Sequence, residues 1–287
     1  MAKILAVGIA TIDIVNLVSA YPEEDDEIRV VSQRISRGGN ATNTLVVLSQ
    51  LAHQCAWTGV LIDESDAKIV TDDLDRYQID YQSCSMLAEG KLPTSYITLS
   101  EQTASRTIIH HRDCPELSFS SFSNLDLTRY DWIHFEGRNI DELEKMLRWM
   151  KQHHPTIPCS LEIEKPRPGV EDLFAFADVL LFSKPYARHV GYESPEQFLE
   201  TMNYDAIMTC SWGDQGAWLK QGKQSIHHPA LEVNRLVDTL GAGDTFNAGI
   251  ISGLVNHYSI EKTLADACHL AGIKCGQLGF DNVVSSS

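Results

Sequence analysis

A glycine-rich turn followed by an aspartate is the part of the sequence best suited to chemistry. It lies in the string VDTLGAGDTF, residues 237–246, which runs into a stretch that predicts a helix to about His257. Gly241 and Gly243 let backbone N–H groups converge on an anion at a helix N-terminus, where the helix dipole favours negative charge. Asp244 then stands beside the anion, where a base for phosphoryl transfer would be useful. The plainer interpretation is a glycine turn whose aspartate caps the helix.

A second polar cluster, RGGNATN, occupies residues 37–43. Gly38 and Gly39 permit a tight turn, and Asn40 stands where the N-cap of a following helix belongs. Apolar residues at helical spacing predict that helix over residues 41–51. The cluster therefore places polar side chains at a turn and at the beginning of a helix.

Strands and helices alternate along most of the chain. Apolar runs predict strands over residues 4–10, 56–60, 132–135, 160–163, 179–182 and 207–209. Helical periodicity predicts helices over residues 41–51, 65–77 and 141–152. The first strand is apolar throughout, which is typical of a strand buried on both faces. This alternation predicts an α/β fold with a mostly parallel sheet covered by helices.

Two segments, residues 13–37 and 92–118, interrupt the alternation. Neither has helical periodicity, and both carry short alternating stretches, at 27–35, 95–99 and 106–110. Such strand pairs, although separated in sequence, can form one small antiparallel sheet that covers the main domain as a lid. We therefore expect an α/β domain of residues 1–12, 38–91 and 119–287 and a lid of residues 13–37 and 92–118.

The composition argues against several classes of partner. Acidic residues outnumber basic ones by 39 to 23, for a formal net charge of −16 over 287 residues. Such a surface repels nucleic acid phosphates and anionic membranes, so neither is an expected partner. No apolar run reaches the length of a membrane span, and Asp13 interrupts the apolar N-terminus, which argues against a signal peptide. Seven dispersed cysteines predict reduced thiols and a cytoplasmic location.

The string around Asp244 resembles Asp-Thr-x-Gly-Ala-Gly-Asp-x-Phe, the signature of the ribokinase-like (PfkB) carbohydrate kinases. RGGNATN resembles the first signature of that family. Longer segments are similar to the ketohexokinases within it, from about residue 4 to residue 283: YPEEDDEIRVVSQRISRGGNATN, WIHFEGRN, EIEKPR, VDTLGAGDTFNA and KCGQLGFD. The resemblance implies a ribokinase-like three-layer sandwich with a mostly parallel central sheet and a small β-sheet lid.

The resemblance also implies which residues bind the sugar. Asp13, Gly39, Asn40 and Asn43 match positions that hold the hydroxyls of a ketose. Two amides and a carboxylate offer both donors and acceptors to a polyol. Asp244 is implied to contact the same sugar and to accept the proton of the hydroxyl that is phosphorylated.

ATP is implied to bind on the other side of Asp244. A lid arginine that reaches the phosphates matches Arg106, whose guanidinium suits that task. Lys165, in EKPR, either faces the phosphates or stabilises the end of a strand. The resemblance implies two further nucleotide-binding segments. One is a loop of Gly213, Asp214, Gln215 and Gly216, and the other is a catalytic anion hole formed by Gly241, Ala242 and Gly243.

The cofactors implied are ATP and Mg²⁺, and the resemblance allows K⁺ as a further ion. Many relatives carry an Asn-x-x-Glu pair after the fifth strand that influences magnesium binding. Residues 182–189 here read FSKPYARH and lack the pair, as ketohexokinase-like chains do. No protein ligand is therefore assigned to the metal.

These implications predict an ATP-dependent kinase for a ketohexose, with fructose converted to fructose 1-phosphate. The alternatives are the same chemistry on another sugar, such as tagatose, ribose or a modified ketose, or a sensor of sugar or nucleotide without turnover. Retention of Asp244 argues against the sensor, which needs no base. In ketohexokinase-like chains two lids clasp each other, which implies a homodimer in which Asp25 or Asp26 reaches the partner's sugar site.

Overall fold

The computed structural model describes residues 1–103 and 105–284 of the chain. Residue 104, in the predicted lid range, and residues 285–287, at the end of the predicted main domain, lie outside the described residues. The strands are β1 (Lys3–Val7), β2 (Thr11–Val18), β3 (Ser32–Gly38), β4 (Gln54–Thr58), β5 (Val60–Ile62), β6 (Ser85–Leu87), β7 (Lys91–Ser100), β8 (Arg106–Asp113), β9 (Trp132–Glu136), β10 (Cys159–Ile163), β11 (Val179–Ser183), β12 (Ile207–Ser211), β13 (Ala217–Gln221) and β14 (Gln224–His228). The α-helices are α1 (Asn40–Gln50), α2 (Ala67–Arg76), α3 (Phe119–Phe122), α4 (Ile140–His153), α5 (Lys184–His189), α6 (Pro195–Thr201), α7 (Ala242–Val255) and α8 (Ile260–Cys275).

A central sheet of eight strands organises the main domain, in the order β14-β13-β12-β11-β10-β9-β1-β4. All neighbours from β4 to β12 pair in parallel, whereas β13 and β14 add an antiparallel hairpin at one edge. The predicted mostly parallel α/β sheet is confirmed. Because the strands are parallel, their carboxyl ends meet along one edge of the sheet, and side chains there converge.

Helices cover both faces of this sheet. Apolar residues of α1, α2, α7 and α8 form one core, and those of α3, α4, α5 and α6 form the other. Helix α7 packs closely on α8, because a Cβ added at Gly249 would lie 2.6 Å from the Cα of Ala267. A glycine on this face thus lets α7 approach α8 and fixes where its N-terminus stands at the edge of the sheet.

A second sheet of four strands lies over the carboxyl edge, in the order β3-β2-β7-β8. Strand β2 pairs antiparallel with β3 and parallel with β7, and β7 pairs antiparallel with β8. Two stretches far apart in sequence thus contribute one sheet, as predicted. The prediction that this sheet is antiparallel was wrong, because β2 and β7, the strands that join the two stretches, pair in parallel. We call this four-stranded sheet the lid sheet.

Several predicted boundaries were wrong. The first strand ends at Val7 rather than at residue 10, because the chain bends at Gly8. Gly8 passes close to α1, since a Cβ added there would lie 2.6 Å from the Cβ of Ala41. Residues 27–31 are not in a strand, since β3 begins at Ser32. Residues 56–60 span the end of β4 and the beginning of β5.

The predicted N-cap was also wrong. Helix α1 begins at Asn40 itself, and Gly39 occupies the cap position with φ 104°. A side chain there would collide with the backbone, since a Cβ on Gly39 would lie 2.3 Å from the carbonyl oxygen of Ile9. The Asn40 side chain is therefore released from capping and is available to a site.

Candidate active site

A cavity of about 820 Å³ lies between the lid sheet and the carboxyl edge of the central sheet. Its floor includes residues at or just beyond the ends of β1, β9, β10, β11 and β12, and α7 begins beside it. The predicted site residues that line it are Asp13, Gly39, Asn40, Asn43, Arg106, Lys165, Gly213, Gly241, Gly243 and Asp244. Ala242, the first residue of α7, does not line this cavity, and neither do Asp214, Gln215 and Gly216 in the loop after β12.

Asp244 is the third residue of α7, directly after the glycine turn. Gly241 takes the left-handed conformation at the cap, with φ 75°, and no side chain caps the helix. The carboxylate accepts a hydrogen bond from the Asn43 amide, Nδ2 to Oδ2, at 2.7 Å. The plainer interpretation of Asp244 as a capping residue is therefore wrong.

The surroundings of Asp244 oppose its ionisation. Burial raises the pKa of this carboxyl to about 7, and the negative charges of Glu164 and Glu136 act in the same direction. The Asn43 hydrogen bond and the positive charge of Arg37 lower the pKa in part. The carboxyl thus exchanges its proton near neutral pH, which is the range a general base requires.

Asn43 is held on both sides. Its Oδ1 accepts a hydrogen bond from Arg37 Nη1 at 2.8 Å, while its Nδ2 donates to Asp244. Arg37 also donates to Thr42 Oγ1 at 2.9 Å and pairs through Nε with Asp73 at 2.6 Å. Sequence reasoning did not assign Arg37 a role, although it opens the RGGNATN string.

Asn40 is held by carboxylates that the sequence reasoning missed. Its Nδ2 donates to Glu162 Oε1 and to Glu164 Oε2, each at 3.1 Å. Asn247 donates to the same Glu162 oxygen at 3.2 Å, whereas Glu162 Oε2 is buried without a hydrogen-bond partner among the described residues. Because both amide protons of Asn40 are engaged, its oxygen is the group left for a ligand, as an acceptor.

Burial raises the pKa of Glu162 well above its usual value, and the neighbouring carboxylates Asp244, Glu136 and Glu164 raise it further. Burial also raises the pKa of Glu136, whose Oε2 accepts the backbone N–H of Ile9 at 3.0 Å. The signal that could have identified them is a buried glutamate at or near the carboxyl end of each of two mainly apolar strands, β9 and β10.

Asp13 reaches the cavity from the lid sheet. The strand registers place Ser36, Asp13, Ser95 and His110 opposite one another, so these four side chains share one face. Burial raises the pKa of Asp13, and hydrogen bonding by Thr11 and Ser95 opposes this. The Thr11 hydroxyl donates to Asp13 Oδ1 at 2.8 Å, which leaves acceptor capacity towards the cavity.

Two lid arginines contact the residues that precede the glycine turn. Arg106 Nη1 donates to Thr239 Oγ1 at 2.6 Å, and Arg34 Nη2 lies 3.5 Å from Asp238 Oδ2. Asp238 is itself anchored by Lys274, a fully buried lysine whose Nζ donates to the Asp238 carbonyl at 3.0 Å. The lid sheet thus rests on the segment that leads into the glycine turn.

The loop at residues 213–216 follows β12 as a short 3₁₀ turn. Gly216 has φ 87° and its carbonyl accepts the N–H of Trp212 at 2.7 Å, which closes the loop. Of the four residues, Gly213 lines the cavity. Lys165 also lines it, 62% exposed, with Nζ 3.8 Å from Glu164 Oε2, so both interpretations of this lysine remain open.

Ser183 and Tyr186 occupy the positions where the missing Asn-x-x-Glu pair would lie, and both make contacts within the fold. Ser183 caps α5 by accepting the N–H of Tyr186 at 3.1 Å, and its hydroxyl donates to the carbonyl of Glu164 at 2.6 Å. Tyr186 is buried and donates to Glu171 at 2.9 Å. Among the described residues no group of three His, Cys, Asp or Glu side chains could hold a metal ion. The residues present therefore do not form a protein cage for Mg²⁺.

Comparison with known proteins identifies the family to which this sequence is similar. The sequence pattern that defines the pfkB family carbohydrate kinases matches residues 1–286. Ketohexokinase of Mus musculus is 39% identical over an alignment that covers 98% of this chain and 99% of that protein.

Solved structures confirm the predicted ribokinase-like fold. A putative ribokinase from Agrobacterium tumefaciens superposes with a TM-score of 0.85 at 18% identity, covering 97% of this chain and 92% of that one. Ribokinase from Cryptococcus neoformans, in complex with ADP, superposes with a TM-score of 0.82 at 17% identity, covering 99% and 97%.

Proposed function

The chain belongs to the pfkB family of carbohydrate kinases, and on that premise we propose that it transfers the γ-phosphate of ATP to a ketohexose. The first candidate acceptor is fructose, with fructose 1-phosphate as product. The observation that carries the proposal is Asp244, a buried carboxyl that stands between the glycine turn and the amides Asn40 and Asn43. The similarity to mouse ketohexokinase supports a ketose as acceptor.

In the proposed mechanism the sugar lies between Asp13 on the lid sheet and Asn40 and Asn43 on α1. The oxygens of Asp13 and Asn40 accept sugar hydroxyls, and the second amide proton of Asn43 is available to donate. Asp244 accepts the proton of the hydroxyl that attacks the phosphorus. The charge on the transferred group is stabilised by the backbone N–H groups of Gly241, Ala242 and Gly243. For this, the Ala242 N–H would leave the Thr239 carbonyl, which it contacts at 3.3 Å.

ATP is proposed to extend from the glycine turn towards Gly213, with Asp214, Gln215 and Gly216 completing the loop. Arg106 would exchange its Thr239 contact for the phosphates when the nucleotide binds. Mg²⁺ bound with ATP would neutralise part of the phosphate charge, and no side chain of the described residues is assigned to hold it. Closure of the lid, proposed as residues 13–37 and 92–118 over the main domain, would exclude water that could otherwise hydrolyse ATP.

A homodimer through the lid is part of the proposal, with Asp25 or Asp26 reaching the sugar site of the partner. The strand registers place an apolar row on the face of the lid sheet opposite to Asp13: Ile35, Ile14, Tyr96 and Ile109. Ile109 is 69% exposed. The seven cysteines are all free, which supports the proposed cytoplasmic location.

An assay of the purified protein with ATP, Mg²⁺ and a panel of fructose, tagatose and ribose tests the function. We expect brisk turnover of fructose and a product phosphorylated on C1, identified by NMR. Fructose 6-phosphate as product, or no turnover of fructose beside brisk turnover of another sugar, would refute the acceptor and leave the kinase intact. Binding of sugar without any turnover would favour the sensor. Parallel assays with and without K⁺ determine whether that ion is needed.

A further inference from the structure

Arg37 lies behind the proposed base and contacts it through one intermediate residue. Its side chain is only 1% exposed, which is unusual for an arginine, and it ends against Asn43 and Thr42. The guanidinium carbon lies 5.9 Å from the centre of the Phe280 ring. A chain of polar contacts therefore runs from Asp73 on α2 through Arg37 and Asn43 to Asp244.

The chemistry of this chain permits one orientation of the Asn43 amide. A guanidinium only donates hydrogen bonds, so the amide oxygen of Asn43 must face Arg37. An ionised carboxylate only accepts them, so the amide nitrogen must face Asp244. Without Arg37 the amide could rotate and present its oxygen to the carboxylate, where two acceptors would repel each other.

We infer that Arg37 is a positioning residue of the kinase, which orients the Asn43 amide and thereby holds the Asp244 carboxylate in line for the sugar hydroxyl. The inference rests on the proposed function, because it takes Asp244 as the base. Arg37 borders the cavity, but its nearly buried guanidinium is engaged by Asn43, Thr42 and Asp73, so the role we assign to it acts through Asn43.

The positive charge of Arg37 and the orientation that it imposes on the Asn43 amide both favour the ionised form of Asp244. Asp244 is faced by Glu164, just beyond β10, and by Glu136 on β9, and the negative charges of both oppose its ionisation. Glu162 on β10 also faces it, and the charge of Asp244 raises the pKa of Glu162. From α1, Asn43 donates to its carboxylate and Thr44 donates to its backbone carbonyl. Arg37, at the end of β3, supplies a positive charge against these carboxylates and lowers the pKa of Asp244.

A purely structural role makes a different prediction. Through Asp73, Arg37 could simply brace α2 against β3, and its loss would then lower stability without altering the pH dependence of catalysis. The pH profile of kcat separates the two roles, because only a residue that acts on Asp244 can move the acid limb.

The test compares Arg37→Met, which removes the donor and the charge, with Arg37→Lys, which keeps the charge but cannot reproduce the forked contacts. We expect Arg37→Met to lower kcat about tenfold to a hundredfold at pH 8, the usual effect of losing a hydrogen bond to a charged group. Its acid limb should move up by about one pH unit, whereas that of Arg37→Lys should stay in place. Arg148→Met is the control, since Arg148, on α4, also pairs with an acidic residue and packs over an aromatic ring.

A profile of Arg37→Met that superimposes on the wild type would overturn the inference. If Arg37→Met does not fold, Arg37→Lys decides alone: wild-type kcat in that variant would also overturn it. Wild-type and Asp244→Asn proteins are assayed beside them. An inactive wild type, or an active Asp244→Asn, would count against the proposed function instead, so the two failures are distinct.

Discussion

At the scale of single residues, the site depends on placing a carboxylate where water is excluded. Asp244 is buried among other acidic groups, and burial is the main reason that its pKa rises to about 7. As the proposed base, Asp244 must be ionised to accept a proton, so kcat should fall as the pH drops through that value. The burial that raises this pKa also opposes the stability of the fold.

The first prediction concerns the activity of Asp244→Asn. Asn keeps the shape but cannot accept a proton, so phosphorylation should fall by about two to four orders of magnitude. ATP binding, measured by calorimetry, should remain largely intact. Turnover within tenfold of the wild type would remove Asp244 from the role of base.

The second prediction concerns the stability of the same variant. Between the usual pKa of an aspartate and about 7, the folded state keeps a proton that the unfolded state has lost, so stability falls as the pH rises through this range. At pH 8 the folded protein therefore carries the full cost of the buried charge. Asp244→Asn should melt at least about 2 °C above the wild type at pH 8, with a smaller difference at pH 5.

Asp238 offers a control of opposite sign for that measurement. Burial alone would raise its pKa, but Lys274, the N–H groups of Leu240 and Gly279, and Arg34 lower it. Its charge therefore stabilises the fold above its usual pKa, and Asp238→Asn should lower the melting temperature at pH 8. If both substitutions shifted melting in the same direction, the electrostatic account of Asp244 would be incorrect.

At the scale of elements, the turn before α7 depends on one glycine conformation. Gly241 has φ 75°, and a Cβ added there would lie 2.2 Å from Cζ of Phe280. Gly243, two residues later, has nothing within 4 Å of an added Cβ and has no such backbone constraint. The two glycines of GAGD therefore differ in the reason for their presence.

The third prediction follows from this difference. Gly241→Ala should lower the free energy of unfolding by about 1–3 kcal/mol through backbone strain, beyond any cost of displacing Phe280. Gly243→Ala, the matched control, should leave stability nearly unchanged. Denaturant titrations of both variants measure the effect, and equal losses of stability would contradict the assignment of strain to Gly241.

The lid strands form the second element with a specific role. Strand β8 is exposed along its length, yet Arg106 at its beginning reaches Thr239 on the main domain. The fourth prediction is that Arg106→Ala raises the KM for ATP about tenfold to a hundredfold, since a charged contact to phosphate is lost. Initial rates at saturating sugar measure it, and an unchanged KM would exclude Arg106 from the nucleotide site. Arg129→Ala, in a 3₁₀ turn away from the cavity, is the control.

At the scale of the whole molecule, the outer face of the lid sheet is unusually apolar for an exposed surface. The row Ile35, Ile14, Tyr96 and Ile109 crosses all four strands, and Ile35, Tyr96 and Ile109 are exposed. A second lid could cover this row, because a twofold interface pairs one patch with its own copy.

The fifth prediction is therefore a homodimer that depends on this row. Light scattering should give a dimer at micromolar concentration, and Ile109→Asp should weaken the dimer at least about a hundredfold by burying an unpaired charge. Val190→Asp, at an exposed apolar residue beside α5, should leave the dimer intact. A monomeric wild type would refute the dimer, and a dimeric Ile109→Asp would place the interface elsewhere.

The amino-acid sequence by itself determined the class of fold and the centre of the chemistry. Buried parallel strands require continuous apolar runs, and a glycine turn before a helix requires glycines, so both leave a local record in the sequence. The glycine turn pointed to Asp244, whereas Asp13, Asn40 and Asn43 were implied by the family resemblance, and the structure brings all four to one cavity. Nothing in the strings fixed the ends of the strands, which depend on packing around residues such as Gly8.

Only the tertiary structure decided how those residues are held. Glu162, Glu136 and Arg37 come from strands that are distant in sequence from Asp244, and their partners are chosen by strand order and helix docking. Tertiary packing also decided that Gly39, rather than Asn40, caps α1, because Gly39 passes close to the carbonyl of Ile9. Hydrogen bonds and pKa values depend on distances between such elements, and distances across the fold are set by the packing of both cores.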